Sequence, residues 1–422
     1  MATLLQFTVG NYRSFHKQRT FSMVPNSIQD NPKECIVAEG RYKYLTTAAV
    51  YGANSSGKSN LVLALASMKK VVLTSVKLND KELLYYDPFL LAADTGIQPT
   101  YFEIVYLNED EERVRYGFEY TMERIEKEWL FVCKKNKEER PYFFRDEEGI
   151  GLDETLFKEG IGLEEKTNDN RLFISLTAQL GGKISKGVLD FFSSGYNVIS
   201  GLTSHGYAGL TEFQFRNKEE AAEEALQFFK DLQLGFIDIE TSVSDISVPE
   251  NMPDKYKEMF KGKKGIDVFS LHHVYDNEGH VVGKQRFRFD NCESQGTMKL
   301  FELAGPLFDS LRKGKLLVVD ELDAKMHPLI SQHIIKLFNS KKSNPHHAQL
   351  LFTTHDTNLL SSHLLRRDQI WFTEKDKTEA TDLYSLMHIV LPDGTKPRGD
   401  GNLERNYIKG RYGAVPYLRA FE

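Results

Sequence analysis

The residues Gly52-Ala53-Asn54-Ser55-Ser56-Gly57-Lys58-Ser59 carry the spacing Gly-x4-Gly-Lys-Ser, which has a mechanical reading. Small residues let successive backbone N–H groups wrap a phosphate, and a helix starting near Gly57 adds the positive end of its dipole. Lys58 can then reach the β- and γ-phosphates of a nucleoside triphosphate, and the Ser59 hydroxyl is a ligand for Mg2+. ATP and Mg2+ are the expected cofactors, with Asn54, Ser55, Ser56, Gly57, Lys58, Ser59 and Asn60 as the nucleotide-binding stretch. Downstream, Leu316-Leu317-Val318-Val319-Asp320-Glu321 reads as an apolar strand ending in two acids, a Walker B segment emerging beside the P-loop. Asp320 would hold Mg2+ through water, and Glu321 would orient or deprotonate an attacking water. A second apolar run, Leu350-Leu351-Phe352-Thr353, ends in Thr354-His355, placing a histidine at the same sheet edge, where it could meet the γ-phosphate. Lys58, Glu321 and His355 are the expected catalytic residues. Finally, Ser294-Gln295-Gly296 opens a helical stretch, offering an anion site of hydroxyl and backbone N–H.

These residues need strands and helices to position them. Residues 42–51 form an apolar-rich run leading directly into the loop, and residues 60–68 (NLVLALASM) have helical composition. Strand, loop, helix is the context the loop requires. Alternation across a charged turn predicts a hairpin over 101–120, and a second turn at 276–279 predicts another over 272–289. Together they suggest an antiparallel layer beside the main sheet. Residues 170–198 read as largely helical, and so do 217–232, where Asn217 and Glu220 form a capping box. After residue 315 the pattern is again α/β, with strands at 316–319, 349–353 and 370–373 and a helix at 328–338. The fold class expected is α/β: a P-loop NTPase with a mixed central sheet, an antiparallel β layer and a helical insertion. Three segments follow: 1–150, with the P-loop; 151–266, a mainly helical insertion; and 267–422, with the remaining motifs.

Composition sets few limits. The chain has 422 residues, 41% hydrophobic and 27% charged, with a formal net charge of −6. A dedicated nucleic-acid binder is more often basic, yet runs such as 134–137 and 261–264 leave nucleic acid open as a partner. No run approaches the ~18 apolar residues of a membrane span. Cys35, Cys133 and Cys292 lack pairing or metal-ligand spacing, so the expected setting is the cytoplasm, with no membrane partner.

In this order, the four motifs resemble the ABC-type ATPase heads of SMC, RecF and OLD-like proteins. Residues 54–60 are similar to the loop of that group, and residues 7–15 to its N-terminal strand and turn, in which an arginine, here Arg13, helps seat the nucleotide. Leu322-Asp323-Ala324-Lys325 resembles the D-loop, which points to Asp323. The group's Q-loop glutamine has only Gln98 as a nearby counterpart. More narrowly, residues 367–372 and 410–416 resemble AAA-type ATPases of bacterial anti-phage and abortive-infection modules, the RloA/AbiL-like and AriA-like group. The resemblance implies half a site per chain, with Ser294, Gln295 and Gly296 closing in trans over ATP held by a second subunit. It implies a homodimer or an oligomer of dimers, slow regulated hydrolysis, and control of a separate effector protein, with a Toprim-like or RloB-like nuclease among the candidates. A RecF-like DNA repair or recombination ATPase is the alternative. Glu374, Asp376 and Asp382 invite a fused nuclease, but too little chain follows His355 to hold a Toprim sheet. The pairs His272-His273 and His346-His347 make poor chelates, because neighbours on a strand point to opposite faces.

Overall fold

The computed structural model describes residues 3–135, 137–200, 205–245, 264–391, 394–399 and 401–416; positions 136 and 261–263 of the two basic runs lie outside that set. The chain divides into two compact units, one of residues 1–201, 310–324 and 331–422, the other of 202–309 and 325–330.

The first unit holds a six-stranded sheet in the order Tyr196–Ile199, Leu316–Val319, Gln349–Thr353, Thr47–Tyr51, Ile370–Lys375, Thr381–Ser385. Its first five strands are parallel and the last is antiparallel. LLVV, QLLFT and TAAVY are buried throughout, as expected of strands covered on both faces. Gln349–Thr353 pairs on one side with Leu316–Val319 and on the other with Thr47–Tyr51. The acids of the Walker B segment are therefore one strand removed from the loop instead of adjacent to it, and the histidine strand fills the gap.

The same unit holds a seven-stranded antiparallel sheet, in the order Gly149–Leu152, Glu139–Asp146, Ile125–Cys133, Arg113–Tyr120, Thr100–Leu107, Thr3–Gly10, Arg19–Ser22, and a two-stranded sheet of Ile36–Glu39 and Tyr42–Leu45. Between the sheets, the helix Lys58–Thr74 buries Leu61, Val62, Leu65, Met68 and Val72 in a core that includes Phe7, Phe102, Tyr116 and Leu351. The stretch Lys58–Lys77 is long and apolar enough to cross a membrane by length and composition only, a test that core helices also pass, and its apolar side chains are packed in this core.

The expected helical run over 170–198 is corrected. Helices Phe173–Gln179 and Lys183–Asp190 lead through a π-turn at Phe191–Gly195 into the strand Tyr196–Ile199. That strand pairs in parallel with Leu316–Val319. A four-residue apolar run carries no period that separates strand from helix.

In the second unit, helices His205–Asn217 and Glu220–Asp231 and most of Gln295–Lys313 accompany a sheet of Asp238–Asp245, Lys264–Tyr275 and Val281–Arg288. The two expected hairpins thus belong to separate sheets, one in each unit. Asn217 does not cap a helix start; it ends the preceding helix. Lys218 takes a left-handed φ of 54°, and the N–H of Glu219 returns to the Gln214 carbonyl at 3.0 Å, a helix-closing pattern.

One buried carboxylate ties the antiparallel sheet to the helix Phe173–Gln179. Glu128, fully buried, accepts hydrogen bonds from the N–H groups of Phe173 (2.6 Å) and Ile174 (3.0 Å) and from the Tyr116 hydroxyl (3.0 Å). Burial pushes its pKa up, while these bonds and Arg145 pull the other way. Replacing it strands three buried donors. Glu128→Ala should cost about 3 kcal/mol, read as a lowered urea midpoint by tryptophan fluorescence.

Candidate nucleotide site

The loop leaves the strand Thr47–Tyr51 and enters the helix Lys58–Thr74 through Gly57, whose φ is 109°. A Cβ there would lie 2.2 Å from Thr381 Oγ1, so only glycine fits. The helix has no side-chain N-cap and no acidic residue in its first turn. Its first backbone bond runs from the Leu61 N–H to the Gly57 carbonyl (3.2 Å). The N–H groups of Lys58, Ser59 and Asn60 are those a helix start leaves for an anion, and they fit a phosphate. Lys58 is buried and donates to the carbonyls of Gly52 (2.8 Å) and Ala53 (3.0 Å). Burial brings its pKa down to about 8, against the opposite pull of Asp320, Glu321 and Asp323.

Several side chains expected at the nucleotide are spent on holding the loop. Ser56 Oγ pairs with Thr373 Oγ1 at 2.6 Å, and its N–H donates to the Ala53 carbonyl. Asn60 donates to Ser14 Oγ (2.7 Å) and accepts from Arg13 (3.3 Å). Arg13, at φ 49°, is anchored by Asp87 through a 2.6 Å ion pair and a backbone bond of 2.8 Å. The arginine is thus fixed beside the first turn of the P-loop helix. Asn54 and Ser55 are exposed on the loop, and Ser59 is half-buried. Thr381 Oγ1 donates to the Ser56 carbonyl (2.9 Å). Gln98, the Q-loop candidate, spends its side-chain amide on Asp94 (2.6 Å). Asp87, Thr373 and Thr381 belong to no motif, so spacing could not have found them.

At the end of Leu316–Val319, Asp320 is buried and accepts from Thr353 Oγ1 at 2.6 Å. That bond uses Oδ1 and leaves Oδ2 as a donor atom suited to a hydrated Mg2+. Glu321 is exposed and has a left-handed φ of 53°; its N–H donates to Thr353 Oγ1 at 2.8 Å. Asp323 accepts from the His355 N–H at 3.4 Å, while its other oxygen, Oδ1, is buried without a partner among the described residues. The His355 imidazole sits below its ordinary pKa, first through burial and then through Lys58, with Asp323, Glu321 and Asp320 opposing. The structure therefore brings Lys58, Asp320, Glu321, Asp323 and His355 together at the carboxyl edge of one sheet.

Ser294, Gln295 and Gly296 lie in the second unit. Ser294 is exposed and caps the helix Gln295–Lys313, its Oγ accepting from the Thr297 N–H at 3.1 Å. Gly296 is required because a Cβ would meet the Lys325 carbonyl at 2.6 Å. The carboxylates considered for a nuclease are held elsewhere: Asp382 by Arg19, Glu374 by the Tyr384 hydroxyl, and Asp376 in the turn before Thr378 and Ala380. His272 contacts Ser270 Oγ and Glu293 Oε1.

A glycine-rich loop opening a helix, with two acids and a histidine at the same sheet edge and an antiparallel sheet alongside, is the layout of a P-loop nucleotide-binding fold. The chain belongs to the family described as "AAA domain, putative AbiEii toxin, Type IV TA system", whose model matches residues 48–361. No curated protein matches it in sequence. Among solved structures it is similar to the SMC head domain from Thermotoga maritima, at 12% identity and a TM-score of 0.40, over 91% of this chain and 98% of that one. It is also similar to the recombination mediator protein RecF with ATP, at 13% identity and a TM-score of 0.37, over 91% and 98% of the two chains.

Gly57→Ala should weaken binding of a fluorescent ATP analogue by about 100-fold, roughly 3 kcal/mol. Fluorescence titration checks this, with circular dichroism to show that the fold persists.

Proposed function

We propose that the chain binds and slowly hydrolyses ATP as a cytoplasmic homodimeric clamp, and acts as the sensor and regulator of an anti-phage, abortive-infection module. The observation that carries the ATPase reading is the convergence of Lys58, Asp320, Glu321, Asp323 and His355 at one sheet edge. The toxin–antitoxin wording of the family description supports the defence setting. Within the family, the stretches at 367–372 and 410–416 favour the RloA/AbiL-like and AriA-like group. A separate effector, a Toprim-like or RloB-like nuclease, is held or released according to nucleotide state.

Each residue has an assigned role. The loop N–H groups and Lys58 grip the phosphates, and Arg13 and Asn60 brace the first helical turn. Ser59 and Asp320 would hold Mg2+, which would neutralise phosphate charge when bound. Glu321 orients the attacking water and takes its proton on a carboxylate oxygen. His355 donates toward the γ-phosphate from a position fixed by Asp323. Ser294, Gln295 and Gly296 of the second subunit complete the site across a two-fold axis. In this reading the first unit, residues 1–201, 310–324 and 331–422, is the ATPase head, and the part of the expected insertion that lies outside it, from residue 202 to 266, meets the partner.

Glu321→Gln should retain ATP binding, abolish measurable turnover and accumulate an ATP-dependent dimer in size-exclusion chromatography with light scattering. Unchanged turnover would remove Glu321 from its role. Completion of the site in trans has its own test. Lys58→Ala and Ser294→Arg subunits, each inactive alone, should regain up to about a quarter of wild-type turnover when mixed into dimers, since random pairing restores one of two sites in half of them. Intact mixed dimers without activity would count against a shared site. DNA-stimulated turnover that falls steeply with salt would move the assignment to a RecF-like repair ATPase.

A further inference from the structure

The geometry points to Thr353 as the positioning residue for both Walker B acids, a role that rests on the ATPase reading and gives a task to a residue of the histidine strand that had none. Thr353 is completely buried at the end of Gln349–Thr353, the strand between the P-loop strand and the acid-bearing strand. Three hydrogen bonds run from this one residue to three consecutive positions. Its Oγ1 donates to Asp320 Oδ1 (2.6 Å) and accepts from the Glu321 N–H (2.8 Å). Its carbonyl accepts from the Leu322 N–H (3.0 Å).

The direction of these bonds is fixed by chemistry. A backbone N–H can only donate, so the Thr353 hydroxyl accepts from Glu321, and its single proton is left for Asp320. The Asp320 carboxylate is thereby held in one rotamer, with Oδ1 engaged and Oδ2 directed to other partners. The bond from Glu321 has a second effect. Glu321 sits at φ 53°, a left-handed conformation that is strained for a non-glycine residue and persists only where the surroundings over-determine it. Thr353 supplies that determination on both sides of the strained residue, through its hydroxyl to Glu321 and its carbonyl to Leu322. Glu321 lies just past the end of the strand Leu316–Val319 and is exposed, so its carboxylate can reach water. One hydroxyl thus sets the metal-binding acid and the water-orienting acid in a fixed relation.

The test compares Thr353→Val, which keeps the shape and removes the hydroxyl, with Thr353→Ser, which keeps the hydroxyl and removes the methyl. Readouts are ATP-analogue binding in EDTA, the Mg2+ concentration that half-restores tight binding, kcat and KM, and the thermal midpoint. Thr353→Val should bind nucleotide in EDTA as the wild type does, need about tenfold more Mg2+, and lose about 30-fold in kcat with KM little changed. Thr353→Ser should stay within about threefold of wild type in all of these. Wild-type Mg2+ dependence and kcat in Thr353→Val would overturn the assignment. So would a serine variant as impaired as the valine one, since the methyl packing would then be what matters. If the valine variant does not fold, Thr353→Cys, a weaker donor of similar shape, decides: a raised Mg2+ requirement supports the role, and a wild-type one overturns it. Wild-type protein that binds no Mg2+-ATP at all would sink the ATPase reading itself, an outcome distinct from a silent Thr353 in a working ATPase.

Discussion

The site depends on a buried ammonium. Lys58 is removed from water inside the loop it belongs to, and two carbonyls of that loop, from Gly52 and Ala53, accept its hydrogen bonds. Burying a cation is costly unless it is hydrogen-bonded and faces opposite charge. The carbonyls meet the first need, and Asp320, Glu321 and Asp323, whose charges oppose the effect of burial, meet the second. The loop and the acid-bearing strand are thus electrostatically dependent on each other although a strand lies between them. A phosphate entering the loop would meet both the ammonium and the uncapped helix start, so the energy of assembling positive charge in one place has already been met by folding.

Threonines on three strands of the six-stranded sheet hold this arrangement. Thr353 fixes the two acids, Thr373 holds the Ser56 hydroxyl, and Thr381 holds the Ser56 carbonyl while leaving no room for a Cβ on Gly57. Each has a short side chain on a buried strand, where a β-branched residue loses little entropy on being fixed. Glycine at position 57 is then the complement of Thr381, not an isolated requirement of the loop. The loop is flexible in composition but braced from outside.

This bracing explains what could be read in the sequence and what could not. The loop, the strands Leu316–Val319 and Gln349–Thr353 and the helix from Pro328 were legible because local spacing and apolar runs encode them. The partners of Ser56, Asp320 and Arg13 were not, because they are ordinary Thr and Asp residues far away in sequence, with no period or motif to mark them. Tyr196–Ile199 was missed for another reason: four apolar residues after a helix read as more helix, and only pairing with Leu316–Val319 makes them a strand. Asn217 misled because Asn favours both ends of helices. The left-handed Lys218 that follows, invisible as a lysine, decides which end it occupies.

The same reasoning bears on the Ser294 segment. Its helix, Gln295–Lys313, like the P-loop helix, has no acidic residue in its first turn. An acid there would be the ordinary way to stabilise an isolated helix start; its omission from both helices leaves two positive ends. They differ in one respect. Gly57 leaves its helix without a side-chain cap, whereas Ser294 caps its own through the Thr297 N–H. The first can offer a complete set of donors to a phosphate, while the second offers its two leading N–H groups and a hydroxyl already committed as an acceptor, so its proton points outward to an anion or to Thr297 Oγ1. In the proposed clamp this makes the loop the primary holder of the nucleotide and the Ser294 segment a lighter contact. A lighter closing contact is what a regulator needs, because the closed state must form when ATP is bound and open again when it is spent.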